Sequence, residues 1–260
     1  MINPTDKILV RNRFAKNLKN YESQAFMQKK IAEQICQNAA GALPAGCRNL
    51  MEIGCGTGLL SRMLSEKINI QTLHLNDLLE EAVELSAESL TTLYPGIALR
   101  KYPGDAESIA FPDNLDGLVS SSCLQWMHDL PTLLGKISRH LLPGGYLGFN
   151  VFGTQNLFQI KELTGAGLPY PEMSTLHHWL SSQFIETEIY EQYETQTFET
   201  PLEILHHLKH TGVTGTGPFL WTREKLNQFE KAYRTRYSQD GGNKVLLTWH
   251  VIFVSARKKY

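Results

Sequence analysis

The run Glu52-Ile53-Gly54-Cys55-Gly56-Thr57-Gly58 holds the residues whose types and spacing most clearly can do chemistry. An apolar stretch, Asn49–Ile53, leads into three glycines at alternate positions, and an amphipathic stretch, Leu59–Leu64, follows at once. This reads as strand, tight turn, helix. Glycines here can serve a sharp turn with φ above zero, close approach of the backbone to a ligand, and close packing of the helix on the strand. The spacing is G-x-G-x-G, because Leu59 stands where the dinucleotide pattern wants its third glycine. Glu52, two residues before Gly54, would repel a pyrophosphate and attract an ammonium or a sulfonium. Asp77 lies 23 residues beyond Gly54 and closes the stretch Ile70–Asn76. At the end of the second strand of a doubly wound sheet, its carboxylate can accept both hydroxyls of a ribose. Asp105 follows the stretch Ile97–Tyr102 and Gly104. In the same architecture it can accept from an adenine amino group, with the Ala106 N–H beside it.

These carboxylates need a frame. Residues 4–40 carry apolar side chains at helical spacing (Ile8, Phe14, Leu18, then Phe26, Ile31, Ile35), with Tyr21 where two helical stretches meet and Gln28 two turns on. The loop 41–46 leads into the first strand. Helix Leu79–Leu90 separates the second and third strands, and Leu115–Ser121 reads as the fourth. Ser121, Ser122, Gln125 and Trp126 then stand at or past its carboxyl end, where ligands bind in open α/β sheets. Helix Leu130–Leu141 leads to Pro143-Gly144-Gly145 and a fifth strand, Tyr146–Phe152. Helices follow at Leu157–Leu163 and Ser174–Phe184, then a sixth strand, Ile185–Phe198. A mostly helical insertion, about 201–243, precedes the final strand, Val245–Ala256. The expected fold is Rossmann-like α/β: a seven-stranded, mostly parallel sheet with an antiparallel last strand, N-terminal helices and a helical lid insertion. Residues 1–45 form a cap, 46–152 the ligand-binding core, and 153–260 the rest of the sheet with the lid, in one integrated domain.

The 260 residues are 42% hydrophobic, enough for a sizeable core, and the formal net charge of -1 creates no global field for nucleic acid or membrane. No run approaches the roughly 18 apolar residues of a membrane span. Met1–Arg13 lacks an apolar signal core, so a cytoplasmic protein is expected. Cys36, Cys47, Cys55 and Cys123 show no C-x-x-C spacing; neither a metal site nor a redox dithiol is expected, only free thiols. Charge is unevenly spread. Residues 1–35 hold seven Lys/Arg against three acids, 52–116 four against eleven, and 206–236 six against two. Basic flanks on an acidic core suit either solvated helix faces or a rim for an acidic partner.

The glycine turn with its preceding acid resembles the nucleoside-methionine loop of class I S-adenosylmethionine methyltransferases. Over its whole length the chain resembles the malonyl-acyl-carrier-protein O-methyltransferases of biotin synthesis. The matching stretches include Arg13-Phe14 with Tyr21 seven residues later, Gln28-Lys29-Lys30, Leu124-Gln125-Trp126, Phe152-Gly153, Asn156-Leu157, Phe198–Pro201, His207–Gly212 and Leu247–His250. The resemblance implies methyl transfer from S-adenosylmethionine to the free carboxylate of a malonyl thioester on acyl carrier protein. A malonyl carboxylate is already ionised near neutral pH and needs no general base; no catalytic Ser/His/Asp constellation is expected, and none is visible. It further implies that Glu52, Gly54, Cys55 and Gly56 line the methionine and ribose parts, and that Asn76, Asp77 and Leu78 hold the ribose. Asp105 and Ala106 would take the adenine, Ser121 would close the methionine side, and Tyr21 and Gln28 would reach over the cofactor. Candidates around the acceptor are Trp126 as a wall and Arg13, His177, His207, His210 and His250 as a clamp. The acidic carrier would dock on the basic segments 1–35 and 206–236. The same turn also fits a methyltransferase of another small acid or of a phenolic or quinone precursor, and a non-catalytic S-adenosylmethionine-binding protein.

Overall fold

A computed structural model describes residues 6–18, 21–210, 221–239 and 244–260; the side chains of Ser23, Gln24 and His210 lie outside that description. The chain opens with three helices, α1 (Lys7–Asn17), α2 (Tyr21–Gln24) and α3 (Phe26–Ala42). Asp6 caps α1, its Oδ1 accepting the Leu9 N–H at 3.0 Å. No residue of α1 is buried. In contrast, α3 buries Met27, Ile31, Ile35 and Ala39 at helical spacing.

Strands and helices then alternate: β1 (Gly46–Ile53), α4 (Leu59–Lys67), β2 (Asn69–Asp77), α5 (Glu80–Leu93), β3 (Ala98–Pro103), β4 (Leu115–Ser120), α6 (Leu130–His140) and β5 (Leu141–Phe152). After them come α7 (Phe158–Thr164), α8 (Met173–Ser181), β6 (Phe184–Phe198), α9 (Pro201–His210), α10 (Arg223–Tyr237), β7 (Ser238–Gln239) and β8 (Lys244–Lys258). The sheet order is β3-β2-β1-β4-β5-β8-β6. Strands β1 to β5 pair in parallel, and β8 runs antiparallel to both β5 and β6. The expected seven strands and antiparallel last strand are present. The additional β7 is a two-residue pairing on β8, too short to leave a sequence pattern.

Two expected boundaries move. β5 starts at Leu141, which pairs with Leu115 before the ladder shifts register and resumes at Tyr146 opposite Gly117; the Pro-Gly-Gly run interrupts the pairing without ending the strand. Phe184 begins β6 opposite Lys258 instead of ending α8.

Alternation along β1 sorts the two faces. Leu50 joins the core with α3, α4 and α5 (Ile31, Ile35, Leu60, Leu64, Val83), whereas Met51 and Ile53 join the core with α6 and α8 (Leu133, Ile137, Leu176, Leu180). The chain runs outward from β1 in both directions, to β2 on one side and β4 on the other. The carboxyl ends of β1 and β4 therefore border the crevice of a topological switch point.

Candidate active site

That crevice is an open-mouthed cleft with about 1230 Å³ of space between its walls and mouth, open solvent included. Its floor is the turn after β1. Gly54, Gly56 and Gly58 have φ of +76°, +53° and +81°, so all three hold a conformation that favours glycine. Their surroundings differ. A Cβ on Gly54 would lie 2.5 Å from the Cβ and Sγ of Cys123, and one on Gly58 would lie 2.7 Å from Ser86 Oγ and 3.2 Å from Ser86 Cα. Gly58 thus permits close packing of α4 on α5, not of a helix on its strand. A Cβ on Gly56 would meet only Phe14, at 3.4 Å. The turn is tied to β2 by the Asn76 carbonyl, which accepts the N–H groups of Gly54 (2.8 Å) and Cys55 (2.9 Å).

Three carboxylates follow from the strand ends. Glu52 is 1% exposed and faces α4, where the Ser61 hydroxyl donates to its Oε2. Burial pushes its carboxyl up to about 8 against the lowering effect of Ser61, with the nearby Asp77 adding to the rise. Asp77 Oδ2 accepts the Gly56 N–H and Oδ1 the Leu79 N–H, both at 2.9 Å. Its carboxyl is raised by burial, which outweighs those backbone donors. Each oxygen keeps lone-pair capacity for a further donor. The Asn76 side chain lies beneath, donating to the carbonyls of Tyr102 (2.7 Å) and Gly104 (2.9 Å) and so holding the turn that carries Asp105. Burial opposes ionisation of Asp105, yet hydrogen bonds from Lys7 and the Glu107 N–H hold its carboxyl below the usual range.

Opposite, β4 ends in a strained turn. Ser122 has φ +54° and is held by its N–H donating to Asn150 Oδ1 at 2.7 Å. Gln125 Nε2 donates to the Ser122 carbonyl at 2.7 Å, which fixes the single 3-10 turn Leu124–Trp126 on the wall. Tyr21 and Phe14 close the top, edge to face with ring centroids 5.0 Å apart. Burial is the main cause that raises the Tyr21 hydroxyl far above its ordinary value, with Asp77 and Cys123 adding to it.

The cleft brings together Tyr21, Gln28, Glu52, Gly54, Cys55 and Gly56 with Asn76, Asp77, Leu78, Asp105, Ala106, Ser121 and Trp126. It does not bring in Arg13, His177, His207 or His250, and the His210 side chain lies outside the described residues. His177 is exposed on α8. His207 packs between Phe198 (5.3 Å) and Trp249 (6.1 Å). His250 is 4% exposed: its Nδ1 lies 3.2 Å from the Gln155 N–H and its Nε2 2.9 Å from Glu191 Oε2, so hydrogen bonding assigns the proton to Nε2. Residue type suggested these histidines, but packing directs His207 and His250 elsewhere, and His177 is exposed away from the cleft lining. Sequence reasoning missed Lys7 and Arg11, which line the cleft with Phe14. The signal was present: positions 7, 10, 11 and 14 share one helix face, but a face that mixes two cations with Val10 and one ring gives only a weak apolar periodicity.

A model described as "Methyltransferase domain" matches residues 51–149. A malonyl-acyl-carrier-protein O-methyltransferase of Bacteroides helcogenes is 36% identical over 98% of this chain and 99% of its own length. One of the same description from Bacteroides fragilis is also 36% identical over 98% of the chain, which spans 51% of that relative. Among solved structures, the N-methyltransferase NodS of Bradyrhizobium japonicum, in complex with S-adenosyl-L-homocysteine, superposes with a TM-score of 0.59 at 12% identity, covering 96% of this chain and 99% of that one; this likeness concerns the fold. With near full-length identity to such relatives added to the sheet and its cleft, the chain belongs to the malonyl-acyl-carrier-protein O-methyltransferases.

Proposed function

We propose that the chain transfers a methyl group from S-adenosylmethionine to the free carboxylate of a malonyl thioester carried on acyl carrier protein, an early step of biotin synthesis in the cytoplasm. The observation that supports it best is the convergence of Glu52, Asp77 and Asp105 on one roofed cleft beside the glycine turn. The cleft also suits the cofactor in detail. Gly56 leaves free the space that a Cβ would fill, and three cleft residues, Gln28, Ser122 and Gln125, carry buried side-chain oxygens (Oε1, Oγ and Oε1) without a partner among the described residues. Such orphaned atoms call for a ligand or water.

In this reading Asp77 holds the ribose, Asp105 and Ala106 the adenine, and Glu52 with the Gly54–Gly56 turn the methionine end. When bound, S-adenosylmethionine supplies a methyl already activated on a sulfonium. The residues of the chain bind, orient and exclude water. Tyr21, Phe14, Trp126 and Phe152 provide the aromatic walls. A carboxylate acceptor is ionised without help, so rate enhancement comes from alignment and a dry site rather than from a base. The buried Glu52 contributes through charge: a cation beside it stabilises its ionised form, and the ionised form stabilises the cation.

The carrier docks on the basic helices. The two basic segments, far apart in sequence, meet at the roof, where Asn17 Nδ2 donates to the Lys209 carbonyl at 3.3 Å. Arg11, Lys16, Lys209 and Arg223 are exposed. Incubation with S-adenosylmethionine and malonyl-acyl carrier protein should add one methyl to the acyl group by mass. Charge reversal at Lys209 and Arg223 should raise KM for the carrier-bound substrate about tenfold and leave a small malonyl thioester unaffected, as loss of long-range attraction predicts. Methylation of other acids but not of malonyl would overturn the substrate; equal loss on both substrates would overturn the docking.

A further inference from the structure

We propose that Lys7 is a positioning residue that fastens the N-terminal roof to the adenine end of the cleft and presents Asp105 to its ligand, an inference resting on the cofactor reading above. The case starts from α1 itself. It has 11 residues and buries none of them, and a helix that short is marginal in water by itself, where about 12–15 residues are needed. Side-chain ties must therefore hold it on the body. Downstream, Phe14 leans on Tyr21 and over Gly56, and Asn17 reaches α9. At its start the tie is Lys7.

The Lys7 ammonium donates to both oxygens of Asp105, at 2.7 Å each, and to Glu107 Oε2. An ammonium has three donors, so the cluster engages all of them. The Lys7 side chain is 13% exposed, so salt screens these pairs less than it screens a surface pair. Glu107 does more than balance charge. Its two oxygens also accept the N–H groups of His128 (3.0 Å) and Asp129 (2.7 Å), the residues directly after Trp126 and Met127 on the cleft wall. One ammonium thus joins three walls: the roof helix, the adenine turn and the Trp126 turn. Without it, two carboxylates two residues apart would repel each other and the Asp105 carboxylate would lose its fixed rotamer. With it, Asp105 stays charged, oriented and able to accept a further N–H.

The test uses Lys7→Met, which keeps the stem, and Lys7→Arg, which restores the charge, in the full chain. Lys7→Met should weaken S-adenosylhomocysteine binding by calorimetry about tenfold and raise KM for S-adenosylmethionine alike, with kcat within about threefold, the signature of lost binding rather than lost chemistry. The ligand-free thermal midpoint should stay within about 2 °C of wild type, because an exposed helix contributes little to global stability. Lys7→Arg should recover most of the affinity, and Lys7→Met with Glu107→Gln should lose less than the product of the single losses. Wild-type affinity in Lys7→Met, or an affinity loss accompanied by a matching fall in midpoint and no rescue by arginine, would overturn the role. No binding of S-adenosylhomocysteine by the wild-type chain would overturn the cofactor reading beneath it.

Discussion

Replacing Gly56 or Gly58 by alanine separates two uses of the same residue type. Both positions lie at positive φ, where an L-residue costs about 1–2 kcal/mol. At Gly56 that strain is the whole cost, because the added methyl meets only Phe14 Cζ at an ordinary 3.4 Å. At Gly58 the methyl presses on Ser86, whose Oγ at 2.7 Å can rotate but whose Cα at 3.2 Å cannot. Ser86 is fully buried, so overpacking adds about 1–3 kcal/mol. For a chain of this size each kcal/mol lowers the thermal midpoint by about 2–4 °C. Gly56→Ala should therefore lose about 2–8 °C and Gly58→Ala about 4–20 °C, with Gly58→Ala always the lower. Ligand binding should rank them the other way. The Gly56 methyl enters the cleft and should weaken S-adenosylhomocysteine at least about tenfold, whereas folded Gly58→Ala should bind within about threefold of wild type, since its damage lies behind the turn. Differential scanning fluorimetry with and without ligand, followed by calorimetry, measures both. Wild-type affinity in Gly56→Ala would refute the assignment of that glycine to the ligand face.

Two further outcomes follow from buried ionisable groups. Glu52, raised to about 8 from an unfolded value of 4.5, binds its proton more tightly in the fold than in the unfolded chain, so ligand-free stability should fall as pH rises from about 4.5 to 8, by up to about 1.4 kcal/mol per unit. Glu52→Gln should flatten that fall and weaken S-adenosylmethionine more than S-adenosylhomocysteine, which lacks the sulfonium charge; parallel midpoint curves for the two proteins would refute it. His250→Ala should cost about 2–4 kcal/mol, or about 4–16 °C, by opening a cavity beside Gly153 and orphaning the Gln155 N–H and Glu191. Its S-adenosylhomocysteine affinity should stay near wild type, and a selective loss of acceptor binding without instability would return His250 to the site.

The strand-end lining of the cleft was legible because its residues sit where topology dictates. Once Ile53, Asp77 and Ser120 are known to end neighbouring parallel strands, the crevice location of Gly54, Asp77 and Ser121 follows from alternation and the switch point alone. The acceptor half depends on how helices dock, and no local pattern reports that. His207 and His250 had the right chemistry for a clamp, but packing against Trp249 and Glu191 decided their fate. Lys7 shared a legible helix face with Arg11 and Phe14, but its partners were not legible, because α1 lies across residues nearly 100 positions away. The same holds for Gly58, whose reason for being glycine is Ser86 on α5 and not a feature of its own turn. At the margins, β7 was too short and the Pro-Gly-Gly run too turn-like to betray the strands they belong to.

The uneven charge admits a finer reading once the ion pairs are placed. An acidic core flanked by basic segments suggests at first that every flanking cation is displayed to a partner. Lys7 instead faces inward on Asp105 and Glu107, and Lys30 pairs with Glu194 at 3.0 Å, so part of the basic charge is engaged within the chain. The roof itself contributes an acid, Glu22, which takes Arg62 of the core at 2.7 Å. At Lys7, whose side chain is 13% exposed, opposite charge helps hold the weakly packed α1 on the cleft, where partial burial reduces screening by salt; the Lys30–Glu194 and Arg62–Glu22 pairs are more exposed. What remains outward is a smaller set than the count from sequence and is spread over several helices: Arg11 and Lys16 on α1, Lys29 on α3, Lys209 on α9, and Arg223, Lys225, Lys231 and Arg236 on α10 are exposed. Lys7 is shared by Asp105 and Glu107, so that turn keeps a net negative charge although its cation faces inward. One basic segment is thus divided between an internal tie, Lys7, and outward cations such as Arg11 and Lys16.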